Sequence, residues 1–340
     1  MVGRVAILVA IANAVGCYAP AFKDCELACA AGDRCPDGYE CQGLVCRPIG
    51  ATMACPMPGT MIDASTDDSM LDAYVIPPHP TTAWGNVTVA VSGSMFPNGV
   101  DDVSLTGDML EMYVTVGNRI LVATRGSLTE NWSAFTAAPG DVNSTNPGDL
   151  DDAPYVSTDG LTMYWMSSRL PSLGTNDIWM ATRPERKQPW TSAINVSELN
   201  SAGVDSGGSV SADGLYLVMT TEVGSNSADL MYSTRALPTN RWSAPLAFQG
   251  LNLSSNDSHP VMSPDKLTIY FHSNRFAGAD YELLEAHRDS PGAAFGAPTW
   301  LTELSTGGYD ADPWVSPDGR TMYFTRADVG GPRQIMKATR

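Results

Sequence analysis

The feature that most constrains this chain is a phrase it spells five times. "VSPDGRTMYFTR", Val315 to Arg326, has counterparts around Ser263, Ser211, Ser157 and Leu105. The turn aspartates Asp108, Asp159, Asp213, Asp265 and Asp318 follow one another at intervals of 51, 54, 52 and 53 residues. After each comes a short apolar run: "MLEMYV", "LTMYWM", "LYLVMT", "LTIYFH", "RTMYFT". A second run then ends in Arg125, Arg183, Arg235, Arg288 or Arg340, and an aromatic opens a third at Trp132, Trp190, Trp242 and Phe295. A fixed period of this length is the signature of a repeat architecture.

The phrase is a turn. In Ser316-Pro317-Asp318-Gly319, Pro presets φ, Asp bonds nearby backbone and Gly accepts a positive φ. The fourth copy has Lys266 at the Gly position, where a left-handed backbone costs about 1 kcal/mol. In the first copy Gly107 precedes the Asp, so a different turn is expected there. The runs mix β-branched, aromatic and Met residues without clean alternation, as strands covered on both faces do. Four strands per period make a propeller blade, so the expected fold is all-β, a five-bladed β-propeller over residues 81–340. The last copy stops at Arg340 without its aromatic strand, and "TAWGNVTVAV" with Trp84 supplies one at the other end. An N-terminal strand in the last blade would close the ring and remove its edges.

The stretch "DADPWVSPDGRTMYFTRADVGGPRQIMKATR" resembles the Pro-Asp repeat of TolB-like, WD-repeat-like bacterial propellers, and the resemblance covers residues 81–340. It implies a propeller in the bacterial envelope that binds other molecules, with the strand before each turn innermost. TolB itself has six blades and a separate α/β domain, and this sequence departs from both.

Upstream, "MVGRVAILVAIANAVGC" has one Arg and an apolar run too short for the roughly 20 residues a membrane span needs, which reads as a signal peptide over 1–16. "AVGC" resembles a bacterial lipobox, with Ala14 where Leu is usual, and this makes Cys17 the lipidated residue. The other cysteines, Cys25, Cys29, Cys35, Cys41, Cys46 and Cys55, form an even, closely spaced set. In an exported segment that is a disulfide framework, here a small module over 17–55 whose connectivity the spacing leaves open. Residues 56–80, with four Asp, no Lys or Arg, and Pro at both ends, read as an acidic linker.

A net charge of −17 excludes nucleic acid as a partner, because phosphate binding rests on clustered Lys and Arg. Nucleophile-elbow, zinc-protease and phosphate-loop motifs are missing. His259, before Pro260, is placed to line the central channel. Eight residues before the turn aspartates stand Asp151, Asp205, Asp257 and Asp310, with Val100 in the first copy. These acids either cap their own loops or ring a tunnel mouth as ligands for a cation such as Ca²⁺. Asp101-Asp102, Asp151-Asp152 and Asp310-Ala311-Asp312 add further oxygens. The reading is a monomeric envelope lipoprotein, not an enzyme, whose propeller binds or scaffolds a protein or glycan and which touches the membrane through its lipid alone. It would sit in the outer membrane, facing the periplasm or the cell surface. The alternative is a five-bladed glycoside hydrolase, whose catalytic carboxylates should break the repeat. If Cys17 carries the anchor, Cys17→Ser moves the protein from the membrane fraction to the soluble one. Complete retention on membranes would rule the lipobox out.

Overall fold

Strands whose residues must be covered on both faces stack as blades, and that is the arrangement of residues 85–340 in the computed structural model. The structure describes residues 80, 82–222, 227–276 and 280–340, and the backbone of three short strands nearer the N-terminus. Those three, β1 (Leu27–Ala28), β2 (Tyr39–Gln42) and β3 (Val45–Pro48), form a sheet in the order β1-β3-β2, with Cys41 opposite Cys46 in the register. They belong to a separate unit, Met1–Asp72. The signal peptide, Cys17, the pairing of the six other cysteines and the linker lie outside the described residues. Among the described residues, no helix is long and apolar enough to cross a membrane.

The propeller has five antiparallel four-stranded sheets. The first blade is β5 (Asp101–Leu105), β6 (Glu111–Val116), β7 (Arg119–Thr124) and β8 (Thr136–Ala137). The second is β9 (Asp151–Val156), β10 (Thr162–Ser167), β11 (Asp177–Thr182) and β12 (Thr191–Asn195). The third is β13 (Val204–Val210), β14 (Tyr216–Glu222), β15 (Ala228–Thr234) and β16 (Leu246–Ala247). The fourth is β17 (Asp257–Met262), β18 (Thr268–Ser273), β19 (Glu282–His287) and β20 (Thr299–Trp300). In the fifth, β21 (Tyr309–Val315), β22 (Thr321–Ala327) and β23 (Gln334–Thr339) are joined by β4 (Gly85–Val91), which pairs with β23. The strands β5, β9, β13, β17 and β21 are innermost and touch one another in cyclic order. Five buried apolar clusters fill the spaces between neighbouring blades, such as Tyr113, Trp165 and Trp190 between the first and second.

All five turns are built alike. The N–H of Met109, Gly160, Gly214, Lys266 or Gly319 donates to the carbonyl three residues back at 2.7–2.8 Å. The Ser or Thr hydroxyl at that position donates to the turn Asp at 2.5–2.7 Å. The same carboxylate oxygen accepts the N–H two residues on at 2.9–3.0 Å. The first copy does not have the different turn that its displaced Gly suggests. Thr106 replaces Ser, and Met109 takes the left-handed position at φ 57°, as Lys266 does at φ 62°.

The repeated arginine holds each blade to its turn. Its Nε donates to the carbonyl of Met109, Gly160, Gly214, Lys266 or Gly319 at 2.6–2.9 Å. Its guanidinium lies 4.1–4.5 Å above Trp132, Trp190, Trp242, Phe295 or Trp84. Each is anchored first inside its own blade, and Arg183 and Arg340 add bonds to Glu111 and Tyr270 next door. Arg235→Ala should cost about 2–3 kcal/mol, from a charged hydrogen bond and a cation–π contact. Lysine keeps the charge but not the planar fork, so Arg235→Lys should recover little of it in denaturant titrations. Full recovery would make charge, not shape, the cause.

Candidate functional site

The four acids at the repeated offset are fully buried and occupied. Asp151 accepts from Ser144 N at 2.6 Å, Trp165 Nε1 at 3.1 Å and Ser167 Oγ at 2.8 Å, and pairs with Arg169. Asp205 accepts from Ser201 N at 2.5 Å and Thr221 Oγ1 at 2.7 Å. Asp257 takes Leu253 N at 3.1 Å and Arg275 at 2.5 Å, and Asp310 takes Thr306 N at 3.0 Å and Arg326 Nε at 2.6 Å. Each carboxylate thus ties the loop before its strand to the following strand or its end. Among the described residues, the acid and imidazole groups close enough to share an ion do not include these four.

The side chains that do converge lie two positions further on. Every innermost strand carries a bulge, and the residue six before the turn Asp has a positive φ: Asp102, Ala153, Gly207, His259 and Asp312 at 48–65°. Such a backbone costs a non-glycine residue about 1–2 kcal/mol. All five positions line a cavity of about 40 Å³ in the channel. At these five positions the repeat breaks, and only the first, fourth and fifth blades place an ionisable side chain there, with Asp152 of the second blade beside Asp102.

Asp312 is the centre of the cluster. Its Oδ1 is 3.4 Å from His259 Nδ1 and 3.2 Å from His272 Nδ1, and its amide donates to His272 Nδ1 at 3.1 Å. His259 Nε2 faces Asp102 Oδ1 at 3.2 Å. The imidazoles of His259 and His272 lie 5.0 Å apart, and Tyr281 packs edge-on to His272. Arg333 pairs with Asp101 and stacks over Tyr309. Oxygens of Asp101, Asp102 and Asp312 lie within 4.8 Å of one another. Asp312 is 4 % exposed, yet its Oδ1 makes no hydrogen bond, and neither does His259 Nδ1.

Such crowding moves the protons. Burial, then Asp312, pushes Asp101 up to about 8, against the pull of Arg333. Burial and the same neighbour raise Asp102 well above the carboxylate range. Burial also acts to raise Asp312, but the imidazoles, His259 first, outweigh it and hold that group well below its usual range. Burial lowers His259 although Asp312 pulls the other way. One carboxylate is therefore kept ionised beside two that favour the proton.

No family model and no curated protein matches the chain. Solved structures do. An endo-arabinase from Bacteroides thetaiotaomicron has a TM-score of 0.54 and 14% identity, over 74% of this chain and 97% of that one. A thermostable family-43 glycoside hydrolase has a TM-score of 0.52 and 14% identity, over 77% and 91%. TolB from Acinetobacter baumannii has a TM-score of 0.44 and 14% identity, over 72% and 55%. What is shared is the propeller fold.

The aspartate network yields a graded expectation. Asp257→Asn strips Arg275 of its buried counter-charge and should cost about 3 kcal/mol. Asp205→Asn loses bonds to neutral donors only and should cost about 1 kcal/mol. As loop caps, both give melting curves that Ca²⁺ and chelator leave unchanged. A calcium-dependent increment that either variant removes would instead establish a cation at this ring.

Proposed function

We infer that the chain is an exported envelope lipoprotein whose propeller is a binding module for a protein or glycan partner. The observation that carries this reading is the size of the channel site. About 40 Å³ holds roughly three waters, whereas small-molecule pockets run to about 300–1,000 Å³. The roomier concavities, of about 360, 430 and 600 Å³, lie between blades, and each is lined by one of the repeated arginines: Arg340, Arg235 and Arg125. A partner is therefore best accommodated on the outer surface, across blade junctions, with the channel closed to anything larger than an ion and its waters.

Glycoside hydrolysis is the second reading. It is favoured by acids that break the repeat and converge in the channel, and by the fold shared with the endo-arabinase and the family-43 enzyme. Their surroundings speak against it. A retaining pair stands about 5–5.5 Å apart and an inverting pair about 6.5–9.5 Å, with a sugar ring between them. Here one oxygen of each acid lies within 4.8 Å of the others, which the retaining spacing also allows, but imidazoles and Arg333 occupy the neighbouring space. The two readings separate in one experiment. Purified full chain is used to capture partners from solubilised envelope and, in parallel, is incubated with arabinan and other plant and bacterial glycans. Binding predicts saturable capture, competed by free chain and unchanged in Asp312→Asn, with no new reducing ends. Reducing ends that Asp312→Asn abolishes would establish the hydrolase instead.

A further inference from the structure

Electron-rich atoms crowd around one point in the channel. Asp312 Oδ1, His259 Nδ1 and His272 Nδ1 approach with separations of 3.4 and 3.2 Å from the carboxylate oxygen. His272 Nδ1 accepts the Asp312 amide, so it carries no proton to donate to that oxygen. His259 Nε2 is turned to Asp102, which leaves its Nδ1 facing Asp312. Neither Asp312 Oδ1 nor His259 Nδ1 has a hydrogen-bond partner, and Asp312 is 4 % exposed. A buried carboxylate oxygen facing lone pairs is costly unless a positive centre sits among them.

We propose that this point is a binding site for a divalent transition-metal ion of the Zn²⁺ type, held by Asp312 Oδ1 and His259 Nδ1. His272 Nδ1 joins them by exchanging its amide bond for the metal. Imidazole nitrogens select such ions, whereas Ca²⁺ takes oxygens. Metal–ligand bonds of about 2.0–2.1 Å in a tetrahedron put ligand atoms about 3.3–3.4 Å apart. The separations of 3.2 and 3.4 Å match that edge. Asp102 then acts as the carboxylate that orients a metal-bound imidazole through its other nitrogen. The cavity leaves a remaining position to water, and Asp101 with Arg333 closes the acidic side. The site is independent of whether the partner on the outer surface is a protein or a glycan.

The test uses untagged full-length protein stripped with chelator, then titrated with Zn²⁺, Co²⁺ and Ca²⁺ against a chromophoric competitor. Bound metal is counted per chain. The cysteines near the N-terminus can hold metal of their own, so the decisive quantity is the difference between wild type and variants. One equivalent of Zn²⁺ should disappear in His259→Gln and in Asp312→Asn, with affinity falling more than about 100-fold. Asp102→Asn should lose about 10–100-fold, as removal of an orienting group does. Bound Co²⁺ should show the intense visible bands of a low-coordinate site in wild type and lose them in His259→Gln. Asp257→Asn should leave all of this unchanged. Should Asp312→Asn fail to fold, His259→Gln decides, because that ring is 26 % exposed. Equal stoichiometry in wild type and both ligand variants overturns the proposal, as does a channel equivalent of Ca²⁺ taken up in preference to Zn²⁺.

Discussion

The contact on which the rest of the propeller depends is the stacked arginine at the end of each third strand. A four-stranded sheet held only by its ladder can twist and splay, and a short outer strand such as Thr136–Ala137 has little ladder to hold it. The arginine fastens three parts of the blade with one side chain. Its backbone directly follows the third strand, its Nε binds the turn between the first two, and its planar face covers the aromatic that leads into the fourth. Only a guanidinium has the flat face and forked donors that this geometry uses. The repeat preserves arginine and an aromatic together because neither is useful to the blade without the other.

Fixing the turn at one end of each inner strand fixes the bulge at the other. The same offset from the turn gives a left-handed residue in all five blades, so the channel is lined by a column of equivalent positions. Asp and His enter that conformation more readily than most residues, and Ala153 and Gly207 show that a small side chain also suffices. The backbone is conserved around the ring, and the chemistry is varied on it. Chemistry confined to three of the five positions marks one side of the channel as specialised.

The repeat made the fold legible, since turn, aromatic and arginine recur at one spacing and each has a local physical reason. Less visible was anything that depends on register. A bulge adds a residue and turns the next side chains, so the offset that repeats as Asp was the natural place to look for a ring of ligands. Those acids are instead consumed by loop N–H groups and by Arg169, Arg275 and Arg326. Asp312 and Asp101-Asp102 were noticed as extra oxygens and His259 as a residue near the channel. Nothing in one sequence brought His272 or Arg333 to them, because these come from other strands and other blades. The signal that was available is the proline after the left-handed residue, Pro154, Pro260 and Pro313, together with the break in repetition just before it. Met109 shows the opposite error, where an altered letter hid an unaltered turn.

The channel cluster takes Asp101 and Asp102 from the first blade, His259 and His272 from the fourth, and Asp312 and Arg333 from the fifth. At their extremes, Asp101 and Arg333, these residues are 232 positions apart along the chain. Contacts this distant in sequence form late, because the loop between them must be ordered first. Three blades can each be complete while the cluster does not yet exist. A chain cut before the fifth blade would keep both imidazoles and the Asp101-Asp102 pair but lose the carboxylate and the guanidinium that join them. The cluster is thus a gauge of assembly: whatever it binds can be held only by a propeller whose first and last blades have already met.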